Sequence, residues 1–194
     1  MTDVFDVLSA DHADVKTMLI ALESSTDAAG GGSSAVLSAR KEVAEQLVIA
    51  SSRHEAAEEQ YFWPAVREQL GNGNQLADQA IAQESEAKEV LDKIDKLEAS
   101  DPDFSRLVTE FVPAARQHIE FEESQVWPDM RQALSPQQAQ ELGEKITKAE
   151  ERGPTRPHPS NPASPAALKT AGPVVAAIDK LRDAMSGRGK PGKS

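Results

Sequence analysis

Cysteine is missing from all 194 residues of this chain, which has only one tyrosine, two tryptophans and four histidines. Without cysteine there is no disulfide framework, no thiolate zinc site, no cysteine-ligated iron–sulfur cluster and no cysteine nucleophile. Metal chemistry therefore falls to His, Asp, Glu and Tyr. No run approaches the roughly 18–20 consecutive apolar residues of a membrane span. The N-terminal stretch MTDVFDVLSADHADVKTML carries acids where a signal peptide needs a basic start and an apolar run, so a cytoplasmic location is expected. Basic side chains are also scarce, 21 against 32 acidic, for a net charge of −11. That balance argues against nucleic acid as a partner.

The charge is uneven. Residues 1–152 carry 14 basic and 30 acidic side chains, whereas residues 153–194 carry 7 and 2. Half of the 12 prolines fall within positions 154–173. These shifts predict a domain over 1–152, then a Pro-rich linker and a short basic amphipathic helix near 173–186 that could dock on a protein partner. β-branched alternation is absent from the first part, and Ala, Leu, Glu, Gln and Lys dominate, which predicts helices. The first covers about 3–24, with Phe5, Leu8, Val15, Leu19 and Leu22 on one stripe and His12 among them. The second starts near Ser34, a candidate N-cap, and runs to about Leu70, where Gly71-Asn72-Gly73-Asn74 signals a turn. A third covers about 75–99. Asp101-Pro102 opens a fourth, which reaches about Leu134 with a disturbance expected at Pro113. Ser135-Pro136-Gln137-Gln138 has capping-box form and opens a fifth to about Arg152. The expected fold class is all-α: an up-down-up-down four-helix bundle with an extra C-terminal helix and a Pro-rich tail.

The second and fourth helices share a pattern. His54 is followed by Glu58 and then Trp63-Pro64; His118 is followed by Glu122 and then Trp127-Pro128. Both read H-x-x-x-E-x-x-x-x-W-P, and the repeat holds both tryptophans and two of the four histidines. Residues i and i+4 lie on one helix face, so each helix offers an imidazole and a carboxylate in the same direction. Two such helices facing each other can surround a pair of metal ions. A single H-x-x-x-E is also a common surface pair, and buried His and Glu can pair with each other without metal. The duplication, with His12 on an otherwise apolar stripe, favours a metal site. The Trp-Pro suffix reads as indole packing followed by a bend at the helix end.

These motifs resemble the hemerythrin-like HHE cation-binding family, over about residues 3–135. The resemblance implies a four-helix bundle with a non-haem di-iron centre, oxo- or hydroxo-bridged, and possession of two iron ions. It makes His12, His54 and His118 terminal ligands and Glu58 and Glu122 the bridging carboxylates. The third helix departs from the family by lacking histidine. Where family members read E-H-x-E-A-K, this chain has Gln83-Glu84-Ser85-Glu86-Ala87-Lys88, which puts Glu84 in the histidine's place. On a helix Glu84 falls within about 20° of Ala77 and Leu91, an apolar stripe where a carboxylate is costly unless paired or metal-bound. An ion pair with Lys88, one turn on, is the competing reading. Tyr61 follows Glu58 by three residues and shares its face on α-helical spacing, as a ligand, a supporting hydrogen-bond donor or a packing residue. Glu55, Glu59, Glu120 and Glu123 are expected to be solvated or interhelical charges, and His158, in the linker, to be solvated.

Respiratory hemerythrins use five histidines and two carboxylates, against three and three in the set here. Hard anionic donors favour ferric iron, which argues against reversible O2 carriage. The expected function is therefore a di-iron protein that reacts with or binds a small oxidant: peroxide, O2 or nitric oxide. An enzymatic role would be peroxide-decomposing or related to nitric oxide. A non-catalytic iron, O2 or NO sensor or iron-binding protein is the alternative.

Overall fold

A computed structural model describes residues 2–24, 33–159 and 175–184, and among these residues every regular element is a helix. The elements are α1 (Val4–Ser24), α2 (Ser34–Ala57), a π-helical turn (Glu58–Phe62), α3 (Trp63–Gln69), α4 (Gly73–Lys96), α5 (Pro102–Phe121), a second π-helical turn (Glu122–Val126), α6 (Trp127–Ala133), α7 (Pro136–Arg152) and α8 (175–184). α1 buries Phe5, Leu8, His12, Val15, Leu19 and Leu22, the expected stripe, together with Val4.

The termini follow local chemistry. Ser33, one residue before the expected cap, accepts from the Val36 N–H and caps α2. Asp101 accepts from the Asp103 N–H at 2.9 Å, with Pro102 in the first turn where its missing N–H costs nothing. Ser135 and Gln138 form the reciprocal capping box of α7. α5 continues through Pro113, held on its inner face by Phe111 and Val112. α7 packs against the start of α1 at Gly143, where a Cβ would lie 2.8 Å from the Asp3 backbone.

The two Trp-Pro suffixes do more than end a helix. Each follows a π-helical turn, and the N–H of the tryptophan bonds five residues back, Trp63 to the Glu58 carbonyl and Trp127 to the Glu122 carbonyl. Proline has no N–H and its ring clashes with the carbonyl four residues earlier. Here those carbonyls belong to Gln60 and Ser124. Widening the preceding turn by one residue lets the chain pass the proline without breaking.

The apolar interior falls into two clusters. One gathers Phe5, Leu8, Phe62, Trp63, Trp127 and Met130 with Leu142 and Ile146 of α7. The other gathers Val15, Leu19, Leu47, Leu91, Phe104 and Phe111. Between them lies a polar layer: His12 sits between Leu8 and Val15 on α1, His54 between Val48 and Ala57 on α2, and Glu84 between Ala80 and Leu91 on α4.

The segment after α7 lies against the helical body. Arg156 pairs with Asp95 of α4 at 3.2 Å and with Asp183 of α8 at 2.7 Å. Asp179, fully buried, accepts from the Thr155 N–H and faces His158 Nε2 at 2.9 Å. His158 is thus a partner of α8, not the solvated residue expected. α8 turns Ala176 and Asp179 inward and leaves Ile178 and Leu181 exposed. Val174 and Met185, expected in the same helix, lie outside the described residues.

Candidate metal centre

Four helical segments bring the six sequence-predicted residues into one buried cluster. His12, His54 and Glu122 offer ligand atoms within 4.8 Å of one another, and so do Glu58, Glu84, His118 and Glu122. Glu122 belongs to both groups. Its Oε2 lies 3.0 Å from His12 Nε2 and its Oε1 lies 3.1 Å from His118 Nε2, so its two oxygens face different histidines. Glu58 Oε2 lies 3.3 Å from His54 Nε2. Glu58, Glu84 and Glu122 are essentially inaccessible to water.

The outward nitrogen of every histidine is tied down. His12 Nδ1 meets Glu123 Oε1 at 3.0 Å, His54 Nδ1 meets Asp11 Oδ2 at 3.3 Å, and His118 Nδ1 meets the Gln83 side-chain oxygen at 2.9 Å. Acceptors on Nδ1 fix the ring orientation and turn Nε2 inward, the arrangement that supports imidazole ligands to metals. Lys16 bonds Glu123 through both oxygens and holds that carboxylate against His12. The His12 ring stacks on Trp127 at 4.9 Å between centroids.

The inward atoms face one another without hydrogen-bonding geometry. His12 Nε2, His118 Nε2, both oxygens of Glu58, both of Glu122 and Oε2 of Glu84 are buried and make no hydrogen bond among the described residues. Such groups are costly in an apolar interior. With His54 Nε2, which faces Glu58, they make three imidazoles and three carboxylates, the chemistry of a site for divalent or trivalent first-row metal ions. The donor set therefore fits a metal cluster.

Electrostatics of the bare side chains point the same way. Burial drives the Glu58 carboxyl well above its ordinary range, and the Glu122 and Glu84 charges add to this. Burial also drives Glu84 well up, more than Lys88 and His118 can offset. Burial opposes the charged form of His118, yet the Glu122 carboxylate overcomes this and lifts the imidazole to about 9. Glu122 is correspondingly held low, with burial outweighed by His118 and His12. Without a cation, three carboxylates share this space only by taking up protons.

Glu84 receives a hydrogen bond not anticipated from the sequence. Trp63 Nε1–H donates to Glu84 Oε1 at 2.6 Å, leaving Oε2 free of hydrogen bonds. The Trp-Pro suffix thus positions Glu84 as well as packing. Lys88 is 4.0 Å from Glu84 and 3.6 Å from Glu55, and bonds directly to Glu59. Glu55 and Glu59 are buried interhelical charges, compensated by this one ammonium. The π-turn also changes the place of Tyr61, because fewer degrees per residue accumulate across a widened turn. Its side chain packs against the first apolar cluster and lines a cavity on the α7 side.

Two further acids were not singled out from the sequence. Asp11 and Glu150 form a third group with His54. Burial and the Asp11 charge raise Glu150 to about 8. Position one residue before His12 was the only available sign for Asp11, and nothing local marked Glu150 on α7. A separate cavity reaches the histidines. It is a cavity of about 370 Å³ with Val15, Val90, Phe111, Ala115 and Ile119 in its walls and His12, His54 and His118 at its inner end.

Comparison with known proteins shows the family. The Hemerythrin HHE cation binding domain matches residues 3–130, and the chain belongs to that family. It is 30% identical over 129 residues to an uncharacterized hemerythrin-like protein of Schizosaccharomyces pombe, a match covering 66% of this chain and 64% of the relative. The chain thus spans less than two thirds of that relative's length. No solved structure gives a significant match. The domain is a cation-binding one, and among the described residues no helix is long and apolar enough to cross a membrane.

Proposed function

We propose that this protein is a cytoplasmic non-haem di-iron protein that binds or reacts with a small neutral oxidant, and that it is not a reversible O2 carrier. The carrying observation is the convergence of three fixed imidazole Nε2 atoms and three buried carboxylates with Glu122 facing both sides. In this reading His12 and His54 would hold one iron and His118 and Glu84 the other, with Glu58 and Glu122 available to both. The fold is read as an up-down-up-down four-helix bundle, with the α2 and α5 helices continuing through their π-turns and α7 and α8 added outside.

Bound iron would supply one-electron redox chemistry and open positions for a small ligand. The protein's own contributions are separable. Glu123, Asp11 and Gln83 hold the imidazoles in the tautomer with Nε2 free. Trp63 orients Glu84. The apolar cavity brings a small molecule to the histidines, and exposed Glu86 and Glu110 at its edge disfavour anions and pass neutral species such as O2, nitric oxide or hydrogen peroxide. The third carboxylate, where respiratory relatives use histidine, favours ferric iron and so works against reversible oxygenation.

Metal analysis with the visible absorption spectrum of the purified protein tests the reading. Two irons per chain and a charge-transfer band between iron and an oxygen ligand are expected. A chain that takes up no iron, or a single zinc, refutes it. Oxygen release from peroxide, or consumption of nitric oxide, then separates turnover from storage. A sensor that binds without turnover is the second reading, favoured by Arg156, which ties Asp183 of α8 to Asp95 of the helix that carries Glu84.

A further inference from the structure

A second cavity, of about 380 Å³, lies between the π-turn after α2, the outer face of α7 and the segment leading to α8. It shares no wall residue with the opening that reaches the histidines. Its lining carries five basic side chains, Lys88, Lys145, Lys148, Arg152 and Arg156, against one acid, Glu59, in a chain of net charge −11. Lys145, Lys148 and Arg152 stand at i, i+3 and i+7 on α7, one stripe along the rim. Lys88 and Arg156 have their charge met by Glu59 and Glu55 and by Asp95 and Asp183. Lys148 has only an exposed pairing with Glu144. Lys145 and Arg152 make no ion pair among the described residues, so the rim holds uncompensated positive charge.

The other walls are mainly apolar, Ala56, Tyr61, Ala149, Pro154, Pro157 and Val175, with the polar Ser52, Gln60 and His158 among them. The side contributed by the tail is fixed in place. Buried Asp179 holds Thr155 and His158, and Asp183 holds Arg156. A concave space of this size, with an apolar floor and one sign of charge at its edge, is the form of a small-ligand site. Burial within fixed walls avoids the ordering cost that weakens ligand binding to loose surfaces.

We propose that this cavity binds a small organic anion, a carboxylate or phosphate attached to a compact aromatic or branched apolar body, with the anionic group at Lys145 and Arg152 and the apolar body against Tyr61, Ala149 and Pro157. The occupant bridges the helical body and the tail segment. The site is separate from the metal cluster, and its occupancy does not depend on the identity of the metal.

Calorimetric titration of the full chain with benzoate, phenyl phosphate, benzyl alcohol and inorganic phosphate tests this. One-to-one binding of benzoate or phenyl phosphate is expected, with benzyl alcohol and inorganic phosphate at least tenfold weaker. The ratio of the two organic anions distinguishes a carboxylate site from a phosphate site. The double variant Lys145→Glu with Arg152→Glu should lose tenfold or more, and Ala149→Phe, which fills the cavity with neutral bulk, should lose as much. Reversal of Arg106, exposed on α5 and outside the cavity walls, should change nothing. Far-UV circular dichroism confirms that each variant is folded. At a hundredfold excess over Kd, the bound anion should raise Tm by about 5 °C or more. Phenyl phosphate binding no tighter than inorganic phosphate, or organic-anion binding unaltered in the Lys145/Arg152 variant, overturns the proposal.

Discussion

If the buried cluster holds metal as proposed, the metal-free protein should lose stability as pH rises above about 5. In the metal-free chain Glu55 titrates at about 7 because burial outweighs Lys88, and His118 titrates at about 9 because the Glu122 charge outweighs burial. Glu150 titrates at about 8, and Glu58 and Glu84 lie well above their ordinary range. For the carboxyl groups the folded chain holds protons that the unfolded chain has already lost, so stability is full below the ordinary value near 4.5 and falls as pH rises through the folded values. For His118 the contribution is full below 6.5 and is lost as pH rises through about 9. Both effects have the same sign. Glu55 alone, moved from 4.5 to about 7, corresponds to about 3 kcal/mol between pH 4 and pH 8. For a chain of this size that is a fall in Tm of about 5–10 °C. Metal competes with the protons on Glu58, Glu84 and His118, so the loaded protein should gain relative stability as pH rises. Thermal melts followed by circular dichroism, on chelated and iron-loaded protein at pH 5, 6, 7 and 8, measure both trends. A metal-free Tm that stays level or rises from pH 5 to pH 8, or a gap between loaded and metal-free protein that narrows, would refute the reasoning.

Loading the metal-free protein at pH 7 should release about three protons, from Glu58, Glu84 and His118, measurable as a calorimetric heat that changes with buffer ionisation enthalpy. On the proposed di-iron reading, Glu122→Gln should weaken both metal positions, since one residue faces His12 and His118 together, whereas Glu84→Gln should weaken one; the metal-to-protein ratio after desalting separates them. Trp63→Phe removes the donor to Glu84 and should lower affinity at that side by about 10–100-fold, read by competition with a chelator. Pro64→Ala and Pro128→Ala allow an ordinary α-turn to replace each π-turn. They should raise or preserve helical content by circular dichroism while reducing iron uptake, and unchanged uptake would show that the widened turns do not matter to the site.

Much of the site was legible because its spacing is local. His54 with Glu58 and His118 with Glu122 lie within single helical turns, so periodicity alone placed each pair on one face. The burial of Glu84 was legible for a different reason: a carboxylate on an apolar stripe needs a partner, and it lies beside Glu58, His118 and Glu122 with the Trp63 N–H on one oxygen. The competing pair with Lys88 is present only at 4.0 Å, because Glu59 on the neighbouring helix holds the ammonium. What could not be read from spacing is whatever depends on a contact across helices. Trp63 reaching Glu84, Trp127 stacking on His12, Glu150 arriving from α7 beside Asp11, and His158 meeting Asp179 all join residues distant in sequence. The π-turns lay between these cases. Their cause, a proline six residues after each glutamate, stands in the sequence, but a helix can answer a proline by ending, kinking or widening.

The sequence by itself determined the chemistry and the helical character of this protein. With no cysteine and few histidines, a duplicated His–Glu turn on amphipathic helices left imidazole and carboxylate as the available donors, and helical periodicity set the direction of each. Tertiary structure decided which atoms meet. Only packing puts three carboxylates into one dry layer between two apolar clusters, ties three Nδ1 atoms outward, gives the oxygens of Glu122 to different histidines and gathers basic side chains beneath the tail. Direction along a helix is a local property of the chain; proximity between helices comes from the burial that brings them together.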